Sequence, residues 1–414
     1  MATRQYELVL LGATGYTGHL TAEYITRNLP TDLKWAIAGR NEKKLAKIVE
    51  DLQSINPDRQ SPSIEIAELN KEDLDQLAKK TKLLITTVGP YFQYGEPVIE
   101  ACAKNGTHYI DCTGESPWHA VMIERFHEIA KSTRAIMIPQ CGLDSVPSDM
   151  VAYLLASHFR KTLNTGLSNV DCSVHIKVKP SGGTLATLLG IFSAYPLSHL
   201  KKTTSLFGLS PVTPPNTTTK GQSFLSKLTG IRNVPGLGWL GIYVNAGVDV
   251  AVVGRSWGLL DGGKFYGPDF HFSEHGSTKT FFGALLRNVI MAFGFVLLAI
   301  PPINRLVRKR LTQPGQGAEK ELWQNDRVRW RAIGHPSLPS SSANSNRAIA
   351  SFSYDSGIYW LTGLLMAEAA MVILRGQRTL ANELGGGLLT PVTLGEQYVD
   401  RIRRAGVIVE VERE

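Results

Sequence analysis

The sequence is poor in cysteine, in charge and in long apolar runs, and each shortage narrows what the chain can be. Only four cysteines occur in 414 residues, Cys102, Cys112, Cys141 and Cys172, with no Cys-x-x-Cys pair and no Cys/His zinc spacing. Metal binding is therefore not expected, and reduced thiols in a cytoplasmic setting are the default. Charged residues make up 19% of the chain, below the roughly 25% of an average globular protein. The net charge of +8 favours anionic cofactors, carriers or lipid surfaces. No Lys/Arg cluster reads as a nucleic-acid motif, so nucleic acid is not an expected partner. The polar residues 1–7 and the short apolar run behind them do not form a secretory signal. No apolar run reaches the ~20 residues of an ordinary membrane-spanning helix. The length leaves room for two or three domains and a sizeable core.

What is present starts at residues 7–20, ELVLLGATGYTGHL. Four apolar residues read as a short buried strand, followed by a turn holding Gly12, Gly15 and Gly18 and then a helical pattern. Strand, glycine turn and helix are how a dinucleotide-binding βαβ unit begins. Gly12 permits a turn that a Cβ resists, Gly15 lets the backbone approach a pyrophosphate, and Gly18 lets helix and strand pack closely. Free N–H groups at the helix start, around Thr14, Tyr16 and Thr17, offer an anion site for the diphosphate. The spacing is G-x-x-G-x-x-G rather than G-x-G-x-x-G, so the loop alone does not separate a cofactor site from a plain turn. The next strand, residues 34–38, ends in Gly39-Arg40-Asn41. Arg40 stands near where an NAD-binding unit carries an acid for the ribose 2′-hydroxyl. A guanidinium there suits a 2′-phosphate instead, which favours NADP(H).

Further strands are expected at residues 63–67, 82–88, 108–112 and 135–138, separated by helical patterns at 42–52, 70–80, 96–105 and 119–132. Such alternation argues for an α/β fold with a doubly wound parallel sheet over residues 1–147. Ligands in such sheets sit beyond the carboxyl ends of the strands. That rule puts Thr86, Thr87, Val88, Gly89 and Pro90 in the cofactor crevice, with Tyr91 and Tyr94 beside them and Asp144 past the sixth strand. Tyr91 and Tyr94 are the nearest hydroxyl donors for proton delivery, and Asp144 is the candidate for orienting a nicotinamide or relaying a proton.

Beyond residue 147 the pattern changes. Residues 149–159 read as a helix, 171–179 as a half-buried antiparallel strand, 185–195 as an apolar helix, 201–235 as an exposed loop and 249–256 as another strand. Ser181-Gly182-Gly183-Thr184 reads either as a second anion site or as a plain turn with a helix cap. Residues 281–311 hold an apolar run, 289–300, followed by Pro301-Pro302 and the basic stretch 305–310. A buried helix, a membrane-interfacial wedge and, least favoured by its length, a membrane span are all open readings. Residues 313–320 and 336–347 read as polar loops and 348–353 as a strand. Residues 357–374 read as an apolar helix carrying Glu368, an acid expected to be paired rather than catalytic. Residues 385–387 open the tail, 394–403 form a last helix and 407–411 an edge strand.

Seven blocks together resemble the saccharopine dehydrogenase-like oxidoreductases, including the mycobacterial trans-acting enoyl reductases. They are GATGYTG at Gly12, AGRN at Ala38, TTVGPYFQYGEPVIEAC at Thr86, GTHYIDCTGE at Gly106, CGLDSVPSD at Cys141, SGGT at Ser181 and GGGLLTP at Gly385, in order over most of the chain. The resemblance implies an NADP-binding Rossmann domain at 1–147, a central α/β substrate domain at 148–354 and C-terminal helices at 355–414 folding back on the first domain. It implies an NADP-dependent oxidoreductase. A saccharopine site should present several arginines, yet between Asp149 and Gly254 only Arg160 and Arg232 occur. An acyl or polyketide-type thioester, free or bound to a carrier, is the better expectation, with lipid metabolism as the setting. Vertebrate-type relatives look like lipid-droplet proteins, which matches the apolar, basic-flanked segment. The cytosolic face of a membrane or droplet is thus an expected location, saccharopine-type chemistry and a non-catalytic nucleotide-binding protein are alternatives, and a homodimer is left open.

Overall fold

The computed structural model describes residues 4–177, 190–191, 193–215, 226, 229–300, 302, 323, 326–339, 342–343 and 346–413. The Ser181–Thr184 loop, most of the 185–195 helix, the basic 305–310 stretch and the 313–320 loop lie outside them.

The first sheet is built from β1 (Tyr6–Leu11), α1 (Tyr16–Asn28), β2 (Trp35–Gly39), α2 (Glu42–Ile55), β3 (Ser63–Ile66), α3 (Lys71–Lys80), β4 (Thr81–Thr86), α4 (Tyr91–Asn105), β5 (His108–Asp111), α5 (Ser116–Thr133) and β6 (Ile136–Ile138). Leu8, Val9 and Leu10 are fully buried because both sheet faces are covered, which is why the strand reads as one continuous apolar run. Asn41 and Asn70 cap α2 and α3 by accepting from Lys44 N (3.0 Å) and Asp73 N (2.9 Å). Strand order is β3-β2-β1-β4-β5-β6 with every pairing parallel. The chain moves outward from β1 to β3 and then crosses back to β4, so the topological switch lies between β1 and β4.

The second half contributes α6 (Ser145–Leu163), β7 (Leu167–Lys177), α7 (Leu197–Thr203), β8 (Arg232–Val234), β9 (Gly238–Gly241), α8 (Ala246–Leu259), β10 (Phe272–Thr278), α9 (Phe281–Ala299), β11 (Arg327–Pro336), β12 (Ala348–Tyr354), α10 (Ile358–Arg375), β13 (Gly387–Leu388), α11 (Glu396–Arg404) and β14 (Ile408–Arg413). A second sheet runs β14-β12-β11-β7-β10-β9-β8.

Three expectations are corrected here. Residues 249–256 are helical, within α8, not a strand. Every residue from Ala251 to Leu259 is buried, so no polar stripe betrays the helical period. Gly258 lets the preceding chain lie against this helix, since a Cβ there would come within 2.7 Å of Pro211 Cδ. The strand expected at 171–179 pairs antiparallel with β11 but parallel with β10. Finally, the segment from 355 onward does not pack on the first domain alone. β13 pairs parallel with β6 as its seventh strand, while β14 pairs with β12 in the second sheet. The triple glycine makes that return workable: Gly386 has φ +84°, and a Cβ on it would sit 2.6 Å from the Ala135 carbonyl oxygen.

Among the described residues α10 is the one helix long and apolar enough to cross a membrane, but it is a core helix. It packs on α1, with Gly363 against Thr21. Glu368 on its buried face accepts from the Tyr24 hydroxyl (2.8 Å) and pairs with Arg401 Nε (2.6 Å). It joins α1, α10 and α11.

Candidate cofactor crevice and active site

The ends of β1, β4, β5 and β6 bring four loops together at one edge of the first sheet. Gly12, at φ +95°, ends β1. A Cβ there would lie 2.8 Å from Val88 Cγ2 and 2.9 Å from Thr87 Oγ1, so only glycine fits. Thr87 fastens the β4 loop to the glycine loop: its N–H donates to the Leu11 carbonyl (3.0 Å) and its hydroxyl to the Gly12 carbonyl (3.2 Å). Gly15 N–H donates to the Gly12 carbonyl (3.0 Å), closing the turn, and Gly15 is the N-cap of α1. Gly18 packs so closely that a Cβ would fall onto the Gly12 carbonyl oxygen and 2.6 Å from Thr87 Oγ1.

No side chain caps the start of α1 and no acid lies in its first turn. A helix start of this kind is a candidate anion site, here beside the exposed loop-tip residue Thr14. Thr17 carries its carbonyl to the Thr21 hydroxyl (2.8 Å) and Tyr16 turns its ring away, edge-on to Tyr359 at 5.2 Å. Both are thus engaged with neighbouring residues of the chain. The other helix start facing this crevice is closed. Pro90 is the N-cap of α4, and the buried Glu115 carboxylate accepts from Tyr91 N (2.9 Å) and Phe92 N (2.6 Å). One helix N-terminus is thus open to an anion and its neighbour is neutralised by the protein's own acid. Gly89 is exposed beside it. Arg40 is exposed one residue past β2, with Lys43 and Lys44 in the first turn of α2. A pyridine nucleotide laid across the β1/β4 switch meets glycines, main-chain N–H groups and a guanidinium, a donor set that fits NADP(H).

The tyrosines are placed differently from expectation. Both belong to α4 rather than to a loop. Tyr91 is buried, its hydroxyl donates to the Thr86 carbonyl (3.0 Å) and lies 3.4 Å from Cys112 Sγ, and burial pushes its phenol well above the usual range. It is occupied with packing and is withdrawn as a proton donor. Tyr94 is exposed on the first turn of α4. Asp144 stands at the start of α6, where burial raises its carboxyl while a hydrogen bond from Asn245 opposes the rise. A Cβ on Gly114, past β5, would be 3.9 Å from Asp144 Oδ2, so the carboxylate borders the crevice.

The structure adds residues that the motifs did not single out. Asp111 ends β5, accepts from the Tyr109 hydroxyl (2.6 Å), Thr113 N (2.9 Å) and Gln140 N (2.9 Å), and is pushed up to about 6 by burial. It ties the β5 and β6 loops together under the crevice. Tyr243, Asp249 and Glu274 gather beside Asp144 from the second half of the chain. Asp249 was hidden by the mistaken strand, and Glu274 lies on β10, whose buried positions Phe272, Glu274 and Gly276 give no apolar alternation in the sequence.

Comparison with known proteins agrees with this layout. The family model for the saccharopine dehydrogenase NADP binding domain matches residues 8–138. A putative trans-acting enoyl reductase of Mycobacterium tuberculosis is 29% identical over 435 residues, covering 99% of this chain and 98% of that protein. The trans-acting enoyl reductase of Mycobacterium ulcerans is 27% identical, covering 100% and 99%. Among solved structures, the apo saccharopine dehydrogenase (L-Glu forming) of Saccharomyces cerevisiae superimposes with a TM-score of 0.56 at 10% identity, covering 99% of this chain and 100% of that one, a likeness of fold.

Proposed function

We propose that this chain, an NADP-dependent oxidoreductase of the saccharopine dehydrogenase-like family, reduces the carbon–carbon double bond of an acyl or polyketide-type 2-enoyl thioester, presented free or on a carrier. The observation that carries this reading is how the stretch between Asp149 and Gly254 uses its arginines. Between Asp149 and Gly254 the sequence has two. Arg232 is bound to Asp171 (2.5 Å) and to the Ser273 hydroxyl, and Arg160 donates from Nε to the Phe265 carbonyl (2.9 Å). Neither is left for a substrate carrying several carboxylates, whereas a neutral thioester needs none. The names of the full-length relatives support the same substrate class.

The bound cofactor supplies hydride. The residues supply the rest: the β1 loop and α1 start hold the diphosphate, Arg40 the adenosine phosphate, and Asp144 borders the reacting end. Purified protein mixed with NADPH and 2-enoyl thioesters of graded chain length is expected to consume NADPH. Failure with every length, in the presence of demonstrable NADPH binding, removes the reductase reading and leaves a nucleotide-binding protein without turnover.

A second proposal concerns location on the cytosolic face of a membrane or lipid droplet, where such an acyl substrate would collect. It is favoured by α9, on which Phe282, Leu286, Val289, Ile290 and Phe293 are all exposed. Their spacing puts them on one stripe of the helix, and large apolar side chains so grouped mark an interaction surface. The basic residues Arg305, Arg308, Lys309 and Arg310 follow in the sequence, which suits anionic headgroups. Burying one such side chain contributes ~1.5–3 kcal/mol. Replacing Phe282 and Phe293 together by Glu should thus lower partition onto anionic vesicles by about 10²-fold or more in a flotation assay. Wild-type protein that stays in the soluble fraction while dimerising with concentration would assign the stripe to a second copy instead.

A further inference from the structure

Three consecutive residues at the entry to α5 each hold a different element. The Glu115 carboxylate accepts from Phe92 N at the start of α4 (2.6 Å), the Ser116 hydroxyl donates to the Val248 carbonyl in the first turn of α8 (3.4 Å), and the Pro117 carbonyl accepts from His199 Nε2 on α7 (3.0 Å). The end of α7 also lies against the start of α8, where a Cβ on Gly247 would come within 2.9 Å of Thr204 Cβ. Each of the three segments carries an exposed apolar side chain close to its contact. Tyr94 follows Phe92 by two residues, Leu197 precedes His199 by two, and Val244 precedes Val248 by four. Large apolar residues are exposed singly on most surfaces, but three brought by separate elements to one anchor form a patch. That anchor borders the reacting end of the crevice. Gly114 is the residue before Glu115, and a Cβ on it would be 3.9 Å from Asp144 Oδ2. Two residues before Val244, Ile242 N–H donates to Asn288 Oδ1 (2.7 Å), which ties this segment to α9, the helix with the exposed stripe.

We propose that Tyr94, Leu197 and Val244 are the acyl-chain contact of this site and make it prefer long chains over short ones. The proposal rests on the reductase reading above and names the part of the substrate that the protein grips. A 2-enoyl thioester whose double bond lies beside Asp144 has to send its hydrocarbon tail out of the crevice. The patch is an apolar surface next to that point, on the three segments that meet at residues 115–117. A tail laid on it leaves water without stripping any polar group of its partner. The Tyr94 ring can lie on the tail with its hydroxyl still in solvent. Recognition of this kind uses no cation, in keeping with the committed Arg160 and Arg232. Each methylene group covered is worth about a fourfold gain in affinity.

Kinetics of the whole protein with NADPH and 2-enoyl thioesters of graded length test this. For wild type, kcat/KM should rise by about fourfold with each of the first added methylene groups, and the gain should lie in KM. The triple variant Tyr94→Ser, Leu197→Ser, Val244→Ser alters exposed side chains only, so it should melt like wild type and keep its NADPH affinity. It should flatten the series, losing about 10²-fold in kcat/KM on long thioesters through KM and nothing on the 2-butenoyl thioester. Leu197→Ser alone, at a position 75% exposed, should lower the slope in the same direction. A triple variant with the wild-type slope, or with an equal loss at every length, overturns the contact. Calorimetry with saturated acyl thioesters of the same lengths, in the presence of NADP+, separates this proposal from the reading beneath it. Length-dependent binding that the triple variant lacks, without NADPH oxidation by wild type on any enoyl thioester, upholds the contact and overturns the reductase reading. Binding by wild type that ignores chain length overturns the contact, whether or not the enzyme turns over.

Discussion

Gly18→Val is expected to abolish NADPH binding and to lower the melting temperature of the apo protein. The new side chain has nowhere to go. Its Cβ alone would lie 2.2 Å from the Gly12 carbonyl oxygen and press on Thr87 Oγ1 at 2.6 Å. Those two groups are the clasp between β1 and β4, where Thr87 donates to the Gly12 carbonyl. Forcing them apart costs about 1–3 kcal/mol or more as overpacking, and about 1 kcal/mol for the hydrogen bond that is lost. It also moves the start of α1, whose N–H groups lack a side-chain cap and are the candidate anion site. Gly15→Ala separates the two effects. A Cβ on Gly15 meets only the Gly12 carbonyl oxygen, at 3.4 Å, within ordinary contact range. That variant should melt like wild type and still bind NADPH more weakly, because the methyl group occupies the approach to the diphosphate. Thermal melts with and without NADPH read both outcomes. A Gly18→Val protein stabilised by NADPH as strongly as wild type would show that the diphosphate rests elsewhere.

The first sheet was legible because its strands are buried on both faces and each stops at a glycine or polar turn, which leaves short apolar runs with clear ends. The same property misled at α8. A helix buried all round has no polar stripe, and its Val-rich stretch DVAVV then passes for a strand. β11 is the opposite case. RVRWRAIG alternates, with Val328, Trp330 and Ala332 buried between exposed arginines, and the period-two signal was present in the sequence but lay next to a stretch without pattern. The return of Gly387–Leu388 to β6 depends on a pairing 251 residues distant along the chain, and two residues carry no period at all. The site divides in the same way. The glycine-loop residues sit within one local motif and can be read from spacing. The cluster of Asp144, Tyr243, Asp249 and Glu274 comes from three elements that only the packing of the second sheet against α6 and α8 brings together. Tyr91 shows the limit of reading chemistry from position: it stands where a donor is wanted, but its hydroxyl already donates to Thr86.

Changing Arg40 to Asp should shift the protein from NADPH toward NADH. Arg40 lies one residue past the end of β2 and is exposed, free of the burial that would fix a structural arginine. A guanidinium bound to a phosphate contributes ~1.5–3 kcal/mol as a charge-assisted hydrogen bond, and aspartate replaces that attraction with like-charge repulsion. NADPH affinity should therefore fall by about 10²-fold, while NADH, which offers a hydroxyl that a carboxylate can accept from, is left unchanged or improved. Titration calorimetry with both nucleotides measures the difference directly. Because the contact is with solvent-exposed charge, the wild-type preference for NADPH should also narrow as salt rises and the Debye length falls toward ~3 Å at 1 M. Lys43 and Lys44 stand on the next turn, so a residual salt dependence in the variant would report their share. Equal weakening of NADH and NADPH would mean that the substitution disturbs the β2 loop itself, and that Arg40 does not touch the 2′-phosphate.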